Sequence, residues 1–133
     1  MTPLQIILYW PIIILIKTLV DFWQHKTGRK IKHGIEFWAM VFVAFFYQVA
    51  AGIRREEQWE LAGFILMYQF FSYVALHDLL INTWMGKGPL FIGTTAWWDV
   101  HVWHRWPNFY TWSKIIALIL SIISAVWINE EIL

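Results

Sequence analysis

The chain has 133 residues, the size of a single domain. Hydrophobic residues make up 59% and charged residues 14%, against roughly 45–50% and about 25% in soluble domains. The composition therefore excludes an ordinary soluble protein. The absence of cysteine excludes disulfides and thiolate metal sites, and a net charge of +1 gives no basic surface for nucleic acid. We expect one transmembrane domain over residues 1–133, with the lipid bilayer as its partner.

Four long apolar runs along the chain predict four membrane-spanning helices. They cover residues 4–20, 35–53, 61–85 and 112–128. The first run contains Lys17, whose aliphatic stem lets its ammonium group reach the headgroups. The third run ends at Gly86, since two glycines and Pro89 oppose continuation of the helix. The prediction is an all-α fold: an integral membrane four-helix bundle with a short interfacial helix.

The third run carries polar residues at helical spacing. Gln69, Ser72, Tyr73 and His77 form one stripe, which can hydrogen-bond to a neighbouring helix or line a path in an oligomer. His77 and Asp78 are ionisable groups inside a span, where such groups face an interior, a cavity or a partner. Three interpretations stay open: the pair satisfies itself and interfacial water, it accepts protons or binds a metal, or it contacts a substrate or lipid headgroup.

Residues 95–106 predict a short amphipathic helix that lies in the membrane plane between the third and fourth runs. Thr94 or Thr95 can cap its start, and Pro107 bounds its end. One side of this helix is polar and faces the headgroups, and the other carries aromatic rings. The polar side consists of His101, His104, Arg105 and Asn108. Asp99 projects from the ring-rich side, so we expect it to have a partner.

The same segment has the spacing of a metal-ligand motif. Asp99, His101 and His104 follow the pattern D-x-H-x-x-H, and two histidines three residues apart share one side of a helix. A third ligand would have to come from His77, Asp78, His25 or His33. The metal hypothesis therefore concerns His77, His101 and His104, while histidines that meet phosphates and water are the alternative. We expect no cofactor.

Lys and Arg are distributed unevenly between the two sides of the predicted bundle. The long-loop side carries Lys17, Lys26, Arg29, Lys30, Lys32, Lys87, Arg105 and Lys114. The opposite side carries Arg54 and Arg55. Because positive residues remain in the cytoplasm, we expect loops 21–34 and 86–111 to be cytoplasmic and both termini outside. All five histidines fall on the long-loop side.

One stretch of the chain resembles a family. His77-Asp78-Leu79-Leu80-Ile81-Asn82, Gly86-Lys87-Gly88-Pro89 and Gly93-Thr94-Thr95-Ala96 with Asp99 contain the patterns D-x3-N, G-K-x-P and G-T-T-A-x-x-D. This looks like small uncharacterised membrane proteins of bacteria and their phages. The resemblance implies a bacterial inner membrane or a phage-related membrane. It also implies that Asp78, Asn82, Gly86, Gly93, Thr94, Thr95 and Asp99 form one structural unit, and it carries no activity.

Three classes of function remain open, and whether the protein is an enzyme is undecided. The first is a non-catalytic structural or assembly component, as a homo-oligomer or within a larger membrane complex. The second is a pore or a proton- or ion-conducting protein. The third is a small enzyme acting on lipid headgroups, in which a histidine is the acid or base. Its candidate catalytic residues are His77, Asp78, Asp99, His101 and His104. Its candidate headgroup-binding residues are Lys87, Arg105, Asn82, Thr94 and Thr95.

Overall fold

The computed structural model of the protein is all-helical. The structure describes residues 2–28, 33–51, 59–92 and 99–132, and no strand occurs among them. Its helices are α1 (Pro3–Lys26), α2 (His33–Ala50), α3 (Trp59–Trp84) and α4 (Pro107–Ile132), with a π-helical turn at Asp99–Trp103 between α3 and α4. The all-α prediction is confirmed.

Three of these helices are long and apolar enough to cross a membrane. The qualifying segments are Pro3–Lys26, Trp59–Trp84 and Pro107–Glu130. The apolar stretch of α2, Ile35–Ala50, is shorter. At about 1.5 Å per residue, the three long helices exceed the roughly 30 Å of a hydrocarbon core.

Helix α1 extends beyond the predicted span at its C-terminal end. Thr2 caps its start: the Thr2 hydroxyl accepts from the Gln5 N–H at 3.2 Å, and the Gln5 side chain accepts from the Thr2 N–H at 2.9 Å. The helix continues to Lys26, and Gly28 follows with a φ of 68°. Asp21, which the sequence places in a polar loop, is therefore a helical and buried residue.

Helix α3 ends in a turn that only glycine adopts without strain. The N–H of Lys87 donates to the Asn82 carbonyl at 2.9 Å, and the N–H of Gly86 donates to the Thr83 carbonyl at 3.1 Å. This pair of bonds satisfies two of the last helical carbonyls. Gly86 has a φ of 73°, in the left-handed region where a Cβ is penalised. The predicted end of the third run is confirmed.

Helix α4 begins earlier than the predicted span. Pro107 is its first residue, a position where the missing N–H of proline has no consequence and its fixed φ already suits a helix. The preceding π-helical turn is closed by a bond from the His104 N–H to the Asp99 carbonyl, at 3.0 Å. Residues 95–98 of the predicted interfacial helix lie outside the described residues. Pro107 thus starts α4 as well as bounding the segment before it.

Helix α3 packs most extensively against α4 and next against α1. Small side chains let α4 approach: Ala117, Ser121 and Ser124 are all buried. Phe64 of α3 stacks on Trp127 of α4, with ring centroids 5.4 Å apart. These small residues of the fourth helix are therefore used for packing inside the chain.

Contacts between α1 and α3 show that these two helices run in the same direction. Near their N-terminal ends the Tyr68 hydroxyl reaches the Ile7 carbonyl, and near their C-terminal ends His77 reaches Asp21. The segments that follow α1 and α3 in the chain therefore start at the same end of the molecule. This end also holds Glu36 in the first turn of α2.

Toward the opposite end, the interior is filled by large side chains. This core consists of Ile6, Trp10, Ile14, Tyr47, Ile65, Tyr68 and Ile128. The Trp10 indole N–H donates to the Gln69 carbonyl at 3.0 Å, and the Trp10 and Tyr47 rings meet edge to face at 5.4 Å. The polar tips of these rings are thus satisfied within the core.

A tyrosine of α3 compensates for a proline inside α1, and a tyrosine of α2 bonds to the carbonyl beside it. Pro11 has no N–H, so the Ile7 carbonyl four residues earlier lacks its helical donor. The Tyr68 hydroxyl of α3 donates to that carbonyl at 2.5 Å, and the Tyr47 hydroxyl of α2 donates to the adjacent Ile6 carbonyl. An unsatisfied carbonyl in lipid costs several kcal/mol, so these contacts both stabilise the interrupted helix and fix its neighbours against it.

Candidate functional site

Six ionisable side chains form a continuous chain of contacts across all four helices. We call it the ionic chain, and it alternates in sign from one residue to the next. Its members in order are Glu36, Lys17, Asp21, His77, Asp78 and Lys114. It lies at the end of the molecule where α1 and α3 finish.

The first half of the ionic chain joins α1 to α2. The Lys17 Nζ lies 2.5 Å from Oδ1 of Asp21, one helical turn later on the same face of α1. The same Nζ lies 3.4 Å from Oε2 of Glu36 in α2. The Asp21 side chain is only 4% exposed, so its charge depends on these partners rather than on solvent.

His77 of α3 connects the two halves. Its Nε2 lies 2.6 Å from Oδ2 of Asp21, and its Nδ1 lies 3.2 Å from Oδ1 of Asp78. The Tyr73 ring stacks on the imidazole, with centroids 4.9 Å apart and planes inclined by 22°. The imidazole is therefore fixed by a carboxylate at each nitrogen and an aromatic ring on one face.

The second half joins α3 to α4. The Lys114 Nζ lies 2.7 Å from Oδ2 of Asp78 and donates to the Val74 carbonyl at 2.7 Å. It also lies 4.9 Å from the centroid of the Tyr110 ring. The buried Lys114 ammonium thus has an anion, a carbonyl and an aromatic ring around it, which offsets the cost of removing it from water.

The ionic chain continues into the loop that follows α3. The Tyr110 hydroxyl lies 3.4 Å from Oδ2 of Asp78 and 3.4 Å from the Phe91 carbonyl. The Asn82 side-chain amide donates to the same Phe91 carbonyl at 2.7 Å. The structure therefore connects Asp78, Asn82 and the turn at Gly86, three members of the predicted structural unit. Asp99, a fourth member, begins the π-helical turn, and Gly93, Thr94 and Thr95 lie outside the described residues.

The charges of the ionic chain balance only when His77 is protonated. Three carboxylates face two ammonium groups, giving −1 with a neutral imidazole and 0 with an imidazolium. The geometry fits the imidazolium, because only that form can donate from both ring nitrogens to two carboxylates. A neutral, fully paired set of charges is the arrangement that a low-dielectric environment favours.

This geometry limits the chemistry open to His77. A general acid or base must present a nitrogen within hydrogen-bond reach of its substrate, and both nitrogens already contact carboxylates. The Asp78 side chain is 42% exposed, yet each of its oxygens also has a partner. The arrangement suits a structural connection between helices better than proton transfer to a bound molecule.

The polar stripe of α3 faces the interior of the chain. Gln69 and Ser72 are buried. The Gln69 amide donates to the Ala44 carbonyl of α2 at 3.4 Å, and the Gln48 amide lies 3.5 Å from Oε1 of Gln69. The Ser72 hydroxyl bonds to the carbonyl of Tyr68 in its own helix. The predicted contact of the stripe with a neighbouring helix is confirmed for Gln69 and His77.

The remaining candidate residues lie on or near the π-helical turn and on the α3–α4 loop. His101, His104 and Arg105 of the predicted polar side are exposed; on the predicted apolar side, Val102 and Trp103 are half-buried and Trp106 is exposed. Asp99 begins this turn, which packs against α4 with the Trp103 ring 5.6 Å from that of Tyr110. The exposed Lys87 lies over the Phe91 ring at 4.5 Å.

No metal centre is evident in the part of the chain that the structure describes. Within residues 2–28, 33–51, 59–92 and 99–132, no group of three or more His, Asp or Glu side chains could hold a metal ion. His77 contacts Asp21 and Asp78, and His101 and His104 lie on or beside the π-helical turn. The metal hypothesis for these histidines stays a prediction.

Sequence reasoning found two members of the ionic chain and missed four. His77 and Asp78 are candidates from the sequence alone. Lys17 and Lys114 enter there only as charges that set the orientation, Lys17 also as a residue reaching the headgroups, and Asp21 and Glu36 have no role. The sequence carries signals for three of the four missed residues. Lys17 and Asp21 have the i,i+4 spacing of a helical ion pair, and Lys114 is the one charged residue in the run 112–128.

No protein-family model, curated protein or solved structure matches this chain. Its function must therefore be inferred from its own residues.

Proposed function

We propose that this protein is a non-catalytic integral membrane component. In this proposal its four helices form a membrane bundle, the ionic chain fixes their relative positions, and the outer surface serves structural or assembly contacts. The observation that carries the proposal is the ionic chain itself, in which every charged group is used to join one helix to another or to support such a joint.

The distribution of side chains supports a membrane location. Large apolar residues cover the outward faces of the helices, while polar residues such as Gln69 and Ser72 are buried. Examples of exposed apolar residues are Leu8, Ile12, Phe42, Phe45, Ile119 and Ile122. A soluble protein rarely exposes apolar patches of more than a few hundred Å², so this surface fits lipid.

The orientation follows from the positive residues, as argued from the sequence. We place the connections that follow α1 and α3, which lie within the predicted loops 21–34 and 86–111, in the cytoplasm and both termini outside, in a bacterial inner membrane or a phage-related membrane. Support comes from α1 and α3, which run in the same direction and so bring the starts of both loops to one end of the molecule.

The structural role is favoured over conduction and over catalysis by specific contacts. Gln69 and Ser72 point into the chain's own interior, so they would not line a path between copies of it. Toward the other end, Trp10, Ile14 and Ile65 fill the interior. A headgroup enzyme based on His77 would need a free ring nitrogen, and both contact carboxylates.

The membrane placement can be tested with single cysteines, because the natural chain has none. We would introduce Lys26→Cys at the C-terminal end of α1, Gly88→Cys after α3 and Glu60→Cys at the start of α3, and treat intact cells with a membrane-impermeant thiol reagent. A Cβ added at Gly88 would meet no other atom within 4 Å, so the substitution is tolerated. We expect labelling at position 60 alone. Labelling of only one of positions 26 and 88 would contradict the proposal.

The assembly role can be tested by measuring mass. We expect the purified chain, of 16.0 kDa, to behave in mild detergent as a homo-oligomer or to co-purify with a larger membrane complex. Light scattering coupled to size-exclusion chromatography gives the protein mass independently of bound detergent. A strictly monomeric chain that co-purifies with no other protein would overturn this part of the proposal.

A further inference from the structure

A groove of about 400 Å³ lies between α1 and α2. Its walls are almost entirely apolar. They are formed by Ile13, Ile16 and Val20 of α1 and by Ala39, Met40 and Val43 of α2. From Glu36 to Val43 the groove extends roughly 10 Å along α2, at 1.5 Å per residue.

The groove exists because α1 and α2 stand apart. Over the described residues, every Cα atom of α1 is more than 8 Å from every Cα atom of α2, whereas helices that pack directly usually have axes only 8–10 Å apart. Side chains bridge the gap at its two ends, through Tyr47 to Ile6 and through Lys17 to Glu36. The space between these bridges is the groove, with the small side chain of Ala39 in its wall.

The charged residues Lys17 and Glu36 lie at one end of the groove, and the hydrogen-bonding capacity of Glu36 is only partly used. Lys17 contacts Asp21 at 2.5 Å and Glu36 at 3.4 Å, so Glu36 has the longer of the two contacts. A carboxylate can accept about four hydrogen bonds, and the Glu36 carboxylate therefore has capacity for another donor. A primary ammonium group placed there would be attracted by Glu36, while a phosphate beside it would be attracted by Lys17.

We propose that this groove binds one phospholipid with a primary-amine zwitterionic headgroup, its acyl chain between α1 and α2 and its ammonium group at Glu36. The charge pattern selects this class. A choline headgroup has no N–H to donate, and an anionic glycerol headgroup has no positive charge for Glu36. The inference depends on the membrane placement proposed above, since that placement brings the groove into contact with lipid.

The test is lipid retention from a defined mixture. The protein would be reconstituted in nanodiscs of equimolar phosphatidylethanolamine, phosphatidylcholine and phosphatidylglycerol, transferred to mild detergent, and analysed by native mass spectrometry. We expect one retained phosphatidylethanolamine, favoured roughly tenfold over either other lipid, which corresponds to about 1.4 kcal/mol. Equal retention of the three lipids would overturn the inference.

Two pairs of variants separate the groove from the rest of the surface. Ala39→Trp fills the groove, whereas Val41→Trp adds the same side chain to an exposed position of α2 outside the groove lining. We expect retention to be lost only in Ala39→Trp. Glu36→Gln should abolish the preference for the primary amine, and Glu60→Gln, at an exposed position in α3, should keep it. Unchanged selectivity in Glu36→Gln would overturn the headgroup assignment.

The outcomes also separate this inference from the proposed function. If the chain incorporates into nanodiscs but retains no lipid selectively, only the lipid site is wrong. If it stays in solution without detergent and does not incorporate, the membrane proposal is wrong and the lipid site with it.

Discussion

Nε2 of His77 in α3 lies 2.6 Å from Oδ2 of Asp21 in α1, across 56 positions of sequence. This contact joins the two parallel helices and connects the halves of the ionic chain. Asp21 also holds Lys17 at 2.5 Å. Of the three carboxylates in the ionic chain, Asp21 is the least exposed, so solvent compensates least for the loss of its contacts.

We predict that Asp21→Asn lowers the free energy of unfolding by about 3 kcal/mol, the cost of breaking a buried ion pair. The substitution keeps the size of the side chain but leaves Lys17 and His77 without their shared anion. Reversible unfolding in mixed micelles, followed by circular dichroism, measures the change.

The matched control for Asp21→Asn is Glu60→Gln, at an exposed position in the first turn of α3. We expect it to change stability by less than about 0.5 kcal/mol. Equal effects of the two substitutions would mean that the ionic chain does not stabilise the fold.

A second prediction concerns Asp78 and Lys114. Lys114 is buried, so Lys114→Met should be destabilising mainly through the Asp78 charge that it leaves behind. In Asp78→Asn protein, the same Lys114→Met substitution should cost about 1 kcal/mol less, which is the coupling of the pair. The expected coupling energy is small because the Asp78 side chain is 42% exposed, and solvent weakens the ion pairs of exposed groups. A double-mutant cycle with additive effects would contradict the contact.

The third prediction concerns the proline in α1. Tyr68→Phe should destabilise the protein by about 2 kcal/mol, because it leaves the Ile7 carbonyl without a donor. Pro11→Ala restores a backbone N–H for that carbonyl. In a Pro11→Ala background we therefore expect Tyr68→Phe to cost less than about 1 kcal/mol.

Tyr47→Phe provides the control for this rescue. Tyr47 donates to the Ile6 carbonyl, whose ordinary helical donor is the N–H of Trp10. Pro11→Ala should therefore leave the cost of Tyr47→Phe unchanged. If Pro11→Ala rescued both tyrosine variants equally, it would act through general stabilisation of α1 rather than through one carbonyl.

The fourth prediction concerns the loop after α3. The Asn82 amide holds the Phe91 carbonyl at 2.7 Å, and Asn82→Ala removes that bond. We expect trypsin to cleave after the exposed Lys87 roughly fivefold faster, corresponding to about 1 kcal/mol of lost restraint. Thr83→Ala is the comparison, since the Thr83 hydroxyl bonds within its own helix, to the Leu79 carbonyl. Identical cleavage rates in the two variants would refute the restraint.

Much of the fold was predictable because apolar runs and helix terminators act locally. The turn at Gly86 and the polar stripe of α3 both follow from residues a few positions apart. The end of α1 was placed too early, since the charge of Asp21 was interpreted as a boundary. It is instead compensated inside the helix by Lys17, one turn away. The start of α4 was placed too late because Pro107 can either end or begin a helix.

The ionic chain was predictable only in part, because its members come from four helices. A sequence shows that His77 and Asp78 are unusual within a span, but not that Asp21 and Lys114 are their partners. Such pairings depend on which helices are neighbours and on their rotation about their own axes. Nothing local to Glu36 indicates that it faces Lys17 across a groove.

The dependence of α1 on α3 has a consequence for biosynthesis. A nascent chain leaves the ribosome from its N-terminus at about 5–20 residues per second, so the 56 positions between Asp21 and His77 correspond to a delay of roughly three to eleven seconds. During that interval no hydroxyl is present to donate to the Ile7 carbonyl. Asp21 has only Lys17 as an ionic partner. These contacts of α1, the first helix to be translated, therefore form only after Tyr68 and His77 have been translated.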